Sequence, residues 1–152
     1  MENSHKSSSH VQMQAENVIF QKVQELLNIK FERNKKLYLA DNAFTYMQPD
    51  FYSAEHCVVG EIFAHIGKPK KAQDNKIAND VLKMLLLERV TGKQHRKILV
   101  VCDVAEKKKL QGQSVLAESI RQFNVEVMHI EIDEDTHRQI LAAQELQKMT
   151  NA

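Results

Sequence analysis

Residues 57–66 read Cys-Val-Val-Gly-Glu-Ile-Phe-Ala-His-Ile, and Gly67 closes the run. Branched and aromatic side chains dominate it, so the stretch predicts a β-strand. Alternation puts Val59, Glu61, Phe63 and His65 on one face and Val58, Gly60, Ile62 and Ala64 on the other. Upstream, Ser53 to His56 supplies a turn, and residues 44–51 predict a preceding strand. Pro49 has no N–H to give a ladder, which puts it at a strand end or a sheet edge. Lys36 to Ala40 predicts an earlier strand, joined to the second by Asp41-Asn42, whose side chains bond local backbone.

The regions outside this core continue the pattern. Residues 10–29 predict a helix, with Met13, Val18, Phe20, Val23, Leu26 and Leu27 at steps near the helical period. Residues 1–9 read as a polar, Ser-rich, disordered lead-in. After Pro69, which suits a first helical turn, residues 70–90 predict a long helix stopped by Gly92. Lys97 to Cys102 is a short apolar run of the kind covered on both faces. Residues 105–123 predict a helix, 125–132 a strand and 134–148 a last helix. The expected order is αβββαβαβα: an antiparallel meander, then helix-linked parallel strands. That order implies one α/β domain over residues 10–149, with three layers, α/β/α, around a central mixed sheet.

Composition narrows the function. The 152 residues carry 21 Lys and Arg against 20 Asp and Glu, a net charge of +1, so any contact with nucleic acid needs a local patch. Two cysteines exclude a disulfide-dense scaffold and a four-cysteine zinc site. No apolar run approaches the roughly 20 residues of a membrane span, and no signal-type stretch opens the chain. The expectation is a cytoplasmic protein with no membrane partner. Four glycines form neither a phosphate loop nor a dinucleotide fingerprint, and Ser114 lacks the setting of a nucleophile.

Two acids stand out. Asp50 follows Pro49 at a strand end, and Glu61 sits inside the next strand among Val59 and Phe63. A turn at Ala54-Glu55 brings them to neighbouring positions across the ladder. A carboxylate on a half-buried face needs a cation or a partner. Two oxygen donors a few ångströms apart suit Mg²⁺ (or Mn²⁺), which keeps several waters and takes substrate phosphate oxygens.

Pro49-Asp50, ten intervening residues and Glu61-Ile62-Phe63, set in this order of elements, resemble the PD-(D/E)xK nuclease superfamily and its restriction-endonuclease-like fold. The resemblance covers residues 10–132. It implies that Asp50 and Glu61 bind the metal, and that Glu16, in Ala15-Glu16 on the first helix, joins them, with Glu25 as a second candidate. It also implies a lysine two positions after Glu61 to orient the attacking water, and that position is Phe63. Some members of the superfamily carry the lysine on the following helix. Here that helix offers Gln73, Lys76, Asp80 and Lys83 on one stripe. Lys76 is the candidate for the moved lysine, with Gln73 in support, and Lys68, Lys70 and Lys71 are candidates for holding a phosphate backbone.

The implied activity is metal-dependent phosphodiester hydrolysis, with DNA or RNA as partner. The alternative is a catalytically inactive nuclease-fold module that binds nucleic acid or protein, its lysine lost to Phe63. His65 reads as a satisfied, partly buried residue. Lys107-Lys108-Lys109 reads as a solvated helix face, and Lys93, His95, Arg96 and Lys97 as a second basic cluster. The run Met84-Leu85-Leu86-Leu87 covers more than one helical stripe, which predicts a homodimer contact.

Overall fold

A computed structural model of the chain describes residues 2–67 and 70–151. Helix α1 runs Glu2–Leu27, and Asn28 ends it in a left-handed conformation, φ 53°. The helix therefore takes in residues 2–9, which the sequence reading set outside the fold as a lead-in. No Pro or Gly interrupts the backbone hydrogen bonding there.

Two short strands follow, β1 (Leu37–Tyr38) and β2 (Tyr46–Met47), paired antiparallel as a separate ribbon. The main sheet has four strands in the order β3 (Phe51–Ser53), β4 (Val58–Phe63), β5 (Arg96–Val101) and β6 (Val125–His129). Strands β3 and β4 are antiparallel, while β4, β5 and β6 are parallel. The expected meander of three strands is thus not one sheet. The predicted strand over residues 44–51 breaks at Pro49-Asp50, because Pro49 cannot donate to a ladder. Strand β3 is the edge strand, and outside it Glu32 and Tyr52 exchange backbone hydrogen bonds of 2.9 and 3.0 Å.

The remaining helices are α2 (Lys71–Thr91), α3 (Val104–Leu110), α4 (Val115–Gln122) and α5 (Glu134–Asn151). Gly92 stops α2 at φ 67° and gives its N–H to Glu88 O, as its position predicts. The single helix expected over residues 105–123 is two helices. Gly112 lies between them, and the Ser114 hydroxyl caps the second by accepting from Ala117 N at 3.0 Å.

The alternation read from residues 57–66 sorts the core. Val58 and Ile62 of β4, with Ile98 and Val100 of β5, pack with Ile19, Val23 and Ile140 of α1 and α5. Val59 and Phe63, with Leu99 and Val101, pack with Ile77, Met84 and Ile120 of α2 and α4. Strand β5 is buried on both faces, as its continuous apolar run requires. The ribbon joins the second cluster through Leu39 and Met47. Among the described residues the architecture is α/β, with a four-stranded mixed sheet and five helices.

Candidate functional site

The register Phe51 to Gly60 puts Asp50, one residue before β3, beside Glu61 in β4. An Asp50 carboxylate oxygen accepts from Ile62 N at 2.7 Å, which ties the broken strand end to its neighbour. Arg33 holds the same corner from outside. Its Nε donates to Asp50 O at 2.9 Å, and another guanidinium N–H donates to Asn17 Oδ1 at 2.8 Å. The guanidinium also lies over the Phe20 ring, 4.4 Å from its centre, so α1 and the Asp50 corner are joined.

Glu61 is only 9% exposed, on the strand face that Val59 and Phe63 bury against α2. Burial, the charges of Asp50 and Asp80, and a hydrogen bond to Asp50 push its carboxyl up to about 9. It therefore keeps its proton at neutral pH in the absence of a cation. Burial, with Asp50 next, also raises the Glu16 carboxyl, while Lys76 and Arg33 pull it back. Asp80, 6% exposed, is raised by burial and by Asp50, against the pull of Lys83 and Lys76. Four acids thus share one field, Glu16 among them through the charge of Asp50.

Lys76 is exposed, and its Nζ lies over the Phe63 ring, 5.6 Å from the centre. The ammonium is therefore placed above the residue that stands two positions after Glu61. It also acts on both Glu16 and Asp80.

Other candidates are turned elsewhere. Gln73 does not face these carboxyls. Its Oε1 accepts from Lys70 N at 3.2 Å, because a residue at the third position of a helix satisfies an otherwise unpaired N–H. Gln73 and Lys70 line a separate cleft of about 670 Å³ with His65, Gln144 and Lys148. Lys71 is exposed at the start of α2, and Lys68 lies outside the described residues. Glu25 is exposed on α1 and acts on none of these acids. His65 is not fully satisfied: its Nδ1 is buried without a partner, and burial lowers its basicity.

The second basic cluster does not form a free positive rim. Lys97 is buried and donates to Glu88 at 2.9 Å, Arg96 pairs with Glu126 at 2.7 Å, and His95 is buried. Of the lysine run on α3, Lys109 pairs with Asp74 at 2.8 Å. Cys57 is half-buried and Cys102 is buried; both thiols are free.

Asp80 is the acid that sequence reasoning passed over. The sequence names it only as part of the α2 stripe, and in the structure it contacts Lys83 at 3.7 Å. Its spacing of four from Lys76, on the face that carries Ile77 and Val81, was the available signal.

The donor set has the chemistry of a divalent cation site. Carboxyl oxygens crowd one another here, partly offset by Lys76, Lys83 and Arg33, and Glu61 is pushed to hold a proton. Among the described residues, no group of three or more His, Cys, Asp or Glu side chains is arranged to hold a metal ion. Two carboxylates, completed by water, is the arrangement left to these residues, and Mg²⁺ accepts it. No helix among the described residues is long and apolar enough to cross a membrane.

No family model, curated protein or solved structure matches the chain.

Proposed function

We propose that the protein is a metal-dependent phosphodiesterase acting on DNA or RNA, a departed relative of the PD-(D/E)xK nucleases. The observation that carries this reading is the Lys76 ammonium over Phe63, beside the hydrogen-bonded Asp50–Glu61 pair. Asp50 and Glu61 would hold Mg²⁺ or Mn²⁺, which supplies a low-pKa water and neutralises charge on the phosphate. Glu16 and Asp80 tune the field at the two ligands. Lys76 stands in for the lysine that Phe63 displaced, orienting the water or holding a phosphate oxygen. Exposed Lys70 and Lys71 add positive charge along the path into α2. A three-layer order belongs to the same proposal, with α1 and α5 on one face of the sheet and α2 and α4 on the other. A cytoplasmic setting fits the two free thiols.

Purified protein with Mg²⁺ or Mn²⁺ and mixed DNA and RNA is expected to show cleavage. Asp50→Ala, Glu61→Ala and Lys76→Ala are each expected to lower the rate by about 10²-fold or more. A sharper test is the exchange Phe63→Lys with Lys76→Ala. Activity restored by returning the amine to the strand supports the displaced-lysine reading. Cleavage that survives Asp50→Ala and Glu61→Ala overturns the assignment.

The inactive binding module is the second reading. The absence of a three-ligand group among the described residues favours it. It gains if no nucleic acid is cut with either metal while binding persists.

A further inference from the structure

We propose that the β1–β2 ribbon is a stacking platform for unpaired nucleotide bases, seating a single strand beside the Asp50–Glu61 centre. The inference names the strand form for the phosphodiesterase and rests on that reading for the cleavage alone.

The ribbon has two unlike faces. Leu39 and Met47 are buried in the cluster that holds Val59, Phe63 and Ile77, so the inner face belongs to the same apolar core as the ring under Lys76. The outer face carries Tyr38 and Tyr46, which sit directly opposite each other in the ladder. Their rings meet edge to face at 5.8 Å, and they are 55% and 40% exposed. Phe44, at the tip, is 87% exposed. One exposed ring needs no explanation, but three on one short ribbon form an apolar surface in search of a partner.

The surroundings say which partner. Lys36 Nζ lies 4.9 Å from the centre of the Tyr46 ring. Residues 30–47, the ribbon and its approach, carry Lys30, Arg33, Lys35 and Lys36 against Glu32 and Asp41; Lys35 pairs with Glu32 at 3.0 Å and Arg33 is held at the Asp50 corner, so Lys36 is the cation placed at the rings. Rings bordered by surplus positive charge match a ligand with flat apolar faces strung on an anionic backbone. Unpaired nucleic acid is such a ligand, whereas a duplex hides its base faces. The tip is also set in advance. Asn42 Oδ1 accepts from both Phe44 N and Thr45 N at 2.7 Å, so presenting the ring costs little ordering. Tyr46 precedes Asp50 by four residues, so backbone length alone keeps them within about 14 Å.

The test measures binding without cleavage. In EDTA, fluorescein-labelled oligo-dT and a labelled duplex of equal length are titrated with the protein, read by anisotropy. The single strand is expected to bind more tightly. Because the chain has no Trp, tyrosine emission reports the rings directly and is expected to fall on binding. Phe44→Ala and Tyr46→Ala should each weaken strand binding about tenfold, while Tyr46→Phe keeps it.

Ribbon variants that bind the strand as well as the wild type overturn the proposal. So does equal binding of the duplex, no strand binding by the wild type, or binding of anionic lipid vesicles in place of the strand. Strand binding with no metal-dependent cleavage fails the hydrolase reading alone. Cleavage with strand affinity unaltered in the ribbon variants fails this proposal alone.

Discussion

Gly60 lies across the ladder from Phe51, and the space where its Cβ would stand is filled by the Phe51 ring. That ring is fully buried and meets Phe31 edge to face at 4.9 Å. A glycine weakens a strand, so its place here has a packing reason. The neighbour that fills the space is an aromatic ring of the adjacent strand. Gly60→Ala is expected to cost about 1–3 kcal/mol, the range for overpacking a tight core. Chemical denaturation checks this, and an unchanged midpoint would show that the ring moves aside freely. Glu61, the next residue, was legible as an unusual acid from alternation alone. Its raised pKa was not legible, because that depends first on how deeply the fold buries it, then on Asp50 and on Asp80 arriving from α2.

At the scale of elements, the breaks in predicted segments carry the information. Pro49 splits one strand into β2 and β3 and leaves Asp50 at the joint, where its carboxylate is free to cap Ile62 N. The residues after α3 split a helix, and Ser114 starts α4 afresh. Helix α3 buries Glu106 completely, with both carboxyl oxygens lacking hydrogen bonds. Burial, then Asp103 and Asp74, push its carboxyl up to about 7. The folded state therefore binds this proton more tightly than the unfolded chain does. Its contribution is full below the ordinary value of 4.5 and is lost as pH rises through about 7. Glu106→Gln is expected to flatten that part of the fall in stability. At about pH 8 the variant should exceed the wild type by on the order of 2–3 kcal/mol. Thermal unfolding across pH checks this; parallel wild-type and variant curves would count against it.

At the scale of the molecule, the sheet and its two apolar clusters are built from β4 and β5, while one side of α2 remains in water. Ala78, Leu82, Leu86 and Val90 recur every four residues on that exposed side, with Leu82 64% and Val90 48% exposed. Val115 of α4 and Phe123 just after it add exposed apolar area, and Leu82 and Leu85 share a groove of about 360 Å³ with them. The sequence reading expected self-association from the leucine run, and the exposed stripe locates where it would occur. Light scattering is expected to give a mass twice that of the 17.5 kDa chain. Leu82→Glu with Leu86→Glu should return it to the monomer, and a monomeric wild type would defeat the expectation.

What the sequence alone determined was local. Strand β4, the doubly buried β5, α2 with its Gly92 stop, and the pairing of Asp50 with Glu61 follow from side-chain period, turn residues and short-range register. Those features act over a few residues, so a linear reading reaches them. Tertiary structure alone decided the rest: the separation of the ribbon from the sheet, Asp80 and Glu16 turning toward the same acids, Lys76 coming over Phe63, and Gln73 capping its own helix instead. Each of these depends on which faces of distant elements meet. Burial and charge are properties of that meeting, not of any one segment.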